Sequence, residues 1–232
     1  MNENVRINSV RGVSQFILNE KLVTVIGEIH EDDFICDNVN NISLFDYCTN
    51  RSVGNNNCKF LLEYHPSIKE LDRIGSTIIK DIFLTKSNVV RDKSFGIDIR
   101  SDFITIQGQN KLYHGKCTPE DLFALGDKYC EEKLFEISGN PTCDGLKNYI
   151  SKMNRRFETA NELTDLKWAW CMVMDYNILK EITSVNDTTE YIVIVGDKHR
   201  QNIRDALSTW DNCDHIKESS NNNESNCVLM KI

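Results

Sequence analysis

Two stretches decide how this chain folds: Leu22-Val23-Thr24-Val25-Ile26-Gly27-Glu28-Ile29-His30 and Tyr191-Ile192-Val193-Ile194-Val195-Gly196-Asp197-Lys198-His199. Each is a short run rich in Val and Ile, without clean polar alternation, closed by a glycine, an acid and a histidine. Such runs mark strands covered on both faces, as in parallel sheets. Residues 60–62 and 95–99 read the same way, and 228–232 reads as a last strand. Helical spacing fills the intervals. Ile68, Leu71, Ile74, Ile78, Ile79 and Ile82 predict a helix over 66–84. Thr118-Pro119-Glu120-Asp121 is a helix start, with a capping hydroxyl, proline in the first turn and acids at the positive end of the dipole. That helix should run to about residue 135. Leu166, Trp170, Val173, Met174, Ile178 and Ile182 predict a long helix over 164–182, and a final helix should follow Gln201 through Trp210. Residues 50–57 and 217–226 read as polar connections.

Strands alternating with helices predict an α/β fold: a central, mostly parallel sheet with helices on both faces. The 232 residues suit a single domain spanning 1–232, with the long interval at 101–161 forming a helical insertion or cap. A formal net charge of −8 argues against nucleic acid as a partner, since that footprint is basic. It also disfavours anionic membrane surfaces. No apolar run reaches the length of a membrane helix, and residues 1–16 lack the apolar core of a signal peptide. The nine cysteines include no CxxC pair, so they read as reduced thiols in a cytoplasmic protein rather than as a zinc site. The stripe Trp168, Trp170, Met172, Met174 and Tyr176 reads as core packing. His114 and His215 read as surface residues.

In open α/β sheets, ligands bind beyond the carboxyl ends of the parallel strands. The residues there are Glu28 and His30, Glu63 and His65, Asp98 and Arg100, and Asp197 and His199. An acid and a base two residues apart share one side of an extended chain. The glycine opening each GxxH motif, Gly27 and Gly196, is expected to let the backbone turn off the strand. This inventory suits a hydrolytic site. Imidazole and carboxylate bind a divalent Mn, Co or Zn ion, a carboxylate serves as general base, and an arginine holds developing negative charge. His30, His199 and Glu63 are the expected metal ligands, and Glu28, Glu63 and Arg100 the expected catalytic groups. His65 also fits a plain lead into the following helix, Asp98 and Arg100 a simple ion pair, and Asp197 a helix cap.

The two motifs, Gly27-Glu28-Ile29-His30 and Gly196-Asp197-Lys198-His199, with Glu63 after the second strand, resemble the TIKI/TraB superfamily, which includes ChaN-like and erythromycin esterase-like proteins. The first motif is most similar to the ChaN-like form. The resemblance covers about residues 20–210 in short windows, and it includes the order of the long helix before the late strand. It implies an α/β sheet with helical insertions and metal-dependent hydrolysis, with His30, Glu63 and His199 carried over and Glu28 fitting the ChaN-like pattern. Many members carry an arginine early in the long helix. Lys167, Trp168 and Trp170 stand there in this chain, and Arg100 is the cation expected in its place.

The resulting expectation is a metal-dependent hydrolase acting on a peptide or small-molecule substrate. Two alternatives use the same scaffold: a non-catalytic carrier of haem or another small ligand, and an inactive interaction protein.

Overall fold

The computed structural model describes residues 4–8, 10–28, 41–66, 79–80, 88–100, 141–160, 163–220 and 227–231. The chain divides into two compact units: Met1–Ile97 with Val185–Ile232, and Asp98–Ser184.

In the first unit the elements run β1 (Asn4–Asn8), β2 (Val10–Leu18), β3 (Lys21–Glu28), β4 (Asn41–Ile42), α1 (Leu44–Gly54), β5 (Cys58–Leu62), α2 (Asn88–Arg91) and β6 (Ser94–Gly96). In the second unit lie α3 (Asp144–Thr159) and α4 (Leu163–Thr183). The chain then returns to the first unit as β7 (Glu190–Gly196), α5 (Asp197–Leu207), β8 (Cys213–Ser220) and β9 (Cys227–Lys231).

The main sheet has the order β6-β5-β7-β3-β2-β8. Strands β6, β5, β7 and β3 are mutually parallel, whereas β2 runs antiparallel to both β3 and β8. A mostly parallel α/β sheet is therefore what the chain builds. Strand β7 lies at its centre and is buried from Glu190 to Val195, which is why its sequence shows no polar alternation. One face packs Ile26, Phe60, Leu62, Ile192 and Ile194 against Leu44, Tyr47 and Cys48 of α1. The opposite face carries α5, which packs on β3, β2 and β7 through the fully buried Ile203 and Leu207. Each of these two side chains contributes about 1.5–3 kcal/mol by burial. A second, small sheet has the order β4-β1-β9.

Several expectations change. Residues 50–54 belong to α1, not to a polar loop. Ser43 caps that helix by accepting from the Asp46 N–H at 2.9 Å. Residues 217–220 are strand, paired with β2. The last strand joins the small sheet, antiparallel to β1. The third parallel strand ends at Gly96, so Asp98 and Arg100 lie beyond it. Helix α5 starts at Asp197, immediately after β7, rather than after Gln201. The helices expected over 66–84 and 118–135 lie largely or wholly outside the described residues, apart from the helical pair Ile79 and Lys80.

The second unit, taken by itself, pairs α3 with α4. Helix α3 buries Leu146, Tyr149 and Met153, and Phe157 meets Trp170 edge to face at 5.5 Å. The Tyr149 hydroxyl donates to the fully buried Asp175 at 3.3 Å. Burial, and then the neighbouring Asp175, push the Tyr149 phenol well above its usual range. The stripe Trp170, Met172, Met174 and Tyr176 is buried, and only Trp168 is exposed. No described helix is long and apolar enough to cross a membrane.

Candidate functional site

Parallel pairing places the ends of β3, β7 and β5 side by side. Glu28 stands in register with Gly196, and Leu62 with Ile194. Glu63 prolongs that ladder by one bond, its N–H donating to the Ile194 carbonyl at 3.2 Å. The chain then bends sharply, with the Tyr64 N–H donating back to the Leu62 carbonyl at 2.8 Å. Gly96 makes room for this bend, because a Cβ there would meet the Tyr64 carbonyl oxygen at 2.6 Å.

Glu63 and His199 come together. Glu63 Oε2 accepts from the Gly196 N–H at 2.7 Å. Glu63 Oε1 lies 3.7 Å from His199 Nε2, and the two side chains are only 11% and 8% exposed. Gly196 is the N-cap of α5, so the carboxylate sits where unsatisfied N–H groups and the helix dipole favour negative charge. Glu28, at the end of the next strand, is 2% exposed. The ladder beside it is irregular: β2 bulges between Val10, opposite Glu28, and Gly12, opposite Gly27. Bulges of this kind re-aim the strand end they sit beside.

Asp197 and His199 do not share a side, because they lie in a helix, where residues two apart point nearly opposite ways. His199 reaches Glu63, while Asp197 accepts from Arg200 Nε and from Gln201 Nε2, each at 2.7 Å. Gly27 does not turn the chain off the strand; it stays in the ladder, opposite Gly12 and Val195. A Cβ at Gly27 would instead strike the Asp197 carboxylate and come within 2.9 Å of its Cα. The glycine of the first motif is thus needed by the acid of the second.

Arg100 and Asp98 belong to the second unit. They form a two-pronged pair, with Nε to Oδ1 at 2.7 Å and Nη2 to Oδ2 at 2.8 Å. His30, with the rest of 29–40, lies outside the described residues, as does His114. His215 is partly exposed and stacks on Phe16 at 4.9 Å.

Sequence reasoning missed Arg200. Its side chain is 2% exposed, and Nη1 donates to Ser14 Oγ at 2.8 Å and to Glu218 Oε1 at 2.6 Å. Arg204 joins at 3.3 Å from the same Glu218 oxygen. The available signal was Arg200 itself, directly after the second motif, combined with Gly12 and Ser14 among the apolar residues Val10, Val13, Phe16 and Leu18 of one strand.

A shared divalent ion is compatible with the donor pair. One imidazole nitrogen and one carboxylate oxygen are the ligand types such ions take. Ligands at about 2.0–2.2 Å from one ion stand roughly 3–4 Å apart, which brackets the distance between Glu63 and His199. Among the described residues, no group of three or more His, Cys, Asp or Glu side chains is placed to hold a metal. Comparison with protein-family models, curated proteins and solved structures finds nothing that matches this chain.

Proposed function

We propose that this chain is a metal-dependent hydrolase of peptide or ester bonds, with its centre at the Glu63–His199 pair. The observation that carries the reading is the meeting of these two shielded side chains, 3.7 Å apart, at the carboxyl ends of adjacent parallel strands. His199 and Glu63 would hold the ion, and His30 is the third ligand proposed. A bound divalent ion supplies an acidified water and polarises a carbonyl. Glu28, buried at the end of the neighbouring strand β3, is the carboxylate proposed to take the proton from that water. Glu63 keeps one oxygen on the Gly196 N–H, which fixes the direction of the other. Arg100 receives no step, because its guanidinium is already paired with Asp98.

Metal analysis and calorimetry with Mn²⁺, Co²⁺ and Zn²⁺ test the proposal. Near-stoichiometric binding is expected in the wild type. It should be abolished in His199→Ala and weakened about tenfold or more in Glu63→Gln. A folded wild type that binds none of the three ions, or a His199→Ala protein that binds as well as wild type, removes the proposal. Given binding, peptide and ester panels then identify the bond cleaved.

A further inference from the structure

We propose that Arg200 is a positioning residue: it sets the rotation of the first turn of α5 and so holds His199 against Glu63. The role of that pair in metal binding rests on the reading above, whereas the contact itself does not.

The first turn of α5, Asp197-Lys198-His199-Arg200, contains no apolar side chain. The apolar anchors of the helix, Ile203 and Leu207, lie in its later turns. Anchors there seat the helix on the sheet but leave its first turn free to shift, so polar contacts must place His199. These contacts come from two sides. On the β5 side, Glu63 holds the Gly196 N–H and faces His199. On the other side, Arg200 reaches across β3 and β2 to Glu218 on β8. Its Cδ would stand 3.1 Å from a Cβ at Gly27, and its Cζ 2.5 Å from one at Gly12. Two glycines therefore clear the path of one side chain, and Ser14, fully buried, accepts a hydrogen bond from it along the way.

Stability alone does not call for this arrangement. A buried ion pair is often no better than well-packed apolar residues of the same volume. What a charged, forked side chain adds is direction: it fits only where its acceptors are. Asp197 on Nε and Glu218 with Ser14 on Nη1 fix the guanidinium at both ends. His199, the preceding residue, sits about 100° away around the helix and is fixed with it.

The test is NMR of metal-free, ¹⁵N-labelled full-length chain at one pH. It follows the Gly196 amide proton, which reports the Glu63 hydrogen bond, and the ring resonances of His199. Glu63→Ala, which removes the acceptor, defines the shift for loss of the contact. Arg200→Met, Glu218→Gln and Gly12→Ala should all move both signals towards the Glu63→Ala values while the Val25 and Val193 amides stay in place. Gly12→Ala crowds the guanidinium without removing a partner, so it and Glu218→Gln decide the matter if Arg200→Met does not fold. Ile203→Val loosens the helix elsewhere and should leave both signals unchanged. Unmoved Gly196 and His199 signals in the folded Arg200, Glu218 and Gly12 variants overturn the proposal, and so does an equal displacement in Ile203→Val. A wild type that binds no metal would end the hydrolase reading and leave this result standing on its own.

Discussion

Gly27 lies inside the ladder, opposite Gly12 and Val195, so its missing side chain serves the neighbours above it rather than a turn. Gly27→Ala places a methyl against the Asp197 carboxylate and backbone. Backbone gives way less readily than a flexible side chain, and overpacking of this kind costs about 1–3 kcal/mol. Urea unfolding should show that loss, and an unchanged midpoint would mean that α5 does not lie so close. Glu218 gives a second test at this scale. Burial pushes its carboxyl up, but hydrogen bonding with Ser14, Arg200 and Arg204 and the charge of Arg200 outweigh burial and hold it below the usual glutamate value. A depressed folded-state value means that this stabilisation is complete above the unfolded value of about 4.3. It is lost as the pH falls through the folded value. The stability gap between wild type and Glu218→Gln should therefore narrow on acidification from about pH 5 to about pH 3. A gap that stays constant over that range would show that the carboxylate gains nothing from its cationic neighbours.

Among the elements, the β2–β3 hairpin turns on Asn19 and Glu20, both with positive φ, at 49° and 65°. A two-residue turn of this hand favours Asn-Gly, and a left-handed non-glycine residue costs about 1–2 kcal/mol. Glu20→Gly should therefore stabilise the first unit by about 0.5–1 kcal/mol, after allowing for the extra freedom of glycine in the unfolded chain. Thermal melting would register it as a rise in Tm, and a fall would mean that Glu20 earns its place through a contact of its own. The same hairpin shows why some elements were legible in the sequence and others not. Strands β3 and β7 announce themselves because both faces are buried along their central stretches, which are apolar but for Thr24. Strand β2 carries Gly12 and Ser14 where Arg200 needs clearance and a hydrogen-bond acceptor, which breaks its apolar pattern. Strand β8 lies at the sheet edge, and its Lys217 and Glu218 read as the start of a polar connection. Helix α1 buries Leu44, Tyr47, Cys48 and Ser52, too few apolar positions to stand out before the asparagine-rich run at 55–57. In the site, the strand-end rule brought Glu28, Glu63 and His199 into view. It erred on Asp197, because it extended the strand where the helix had already begun.

For the molecule as a whole, the thiols sort by depth. Cys48 is fully buried, and burial, then the nearby Cys58, pushes its thiol far above the usual range. Cys58 is pushed up to about 12, mainly by burial. Cys143 and Cys171 are partly exposed. Maleimide labelling of the native protein near neutral pH, read by peptide mass spectrometry, should modify Cys143 and Cys171 well before Cys48 and Cys58, because the thiolate is the reactive form. Equal rates at all four would mean that the α1 face of the main sheet opens readily. The layered α/β plan was legible from the alternation of elements. The second sheet was not, because β1 and β4 are short and carry few apolar residues, and β1 finds its partner β9 only at the far end of the sequence.

The order of strands in the main sheet also bears on how the protein is made. Strand β3 lies between β2 and β7, and β2 is flanked on its other side by β8. A ribosome delivers β2 and β3 before the second unit and β7 only after it. At about 5–20 residues per second, the hairpin waits roughly 10–30 seconds for the strand that completes its core. Throughout that interval Val23, Val25 and Ile26 have no β7 to cover them, and the β3 edge offers a full row of backbone donors and acceptors. Until β7 emerges, that edge is open to wrong strand partners, although the finished fold pairs it on both sides.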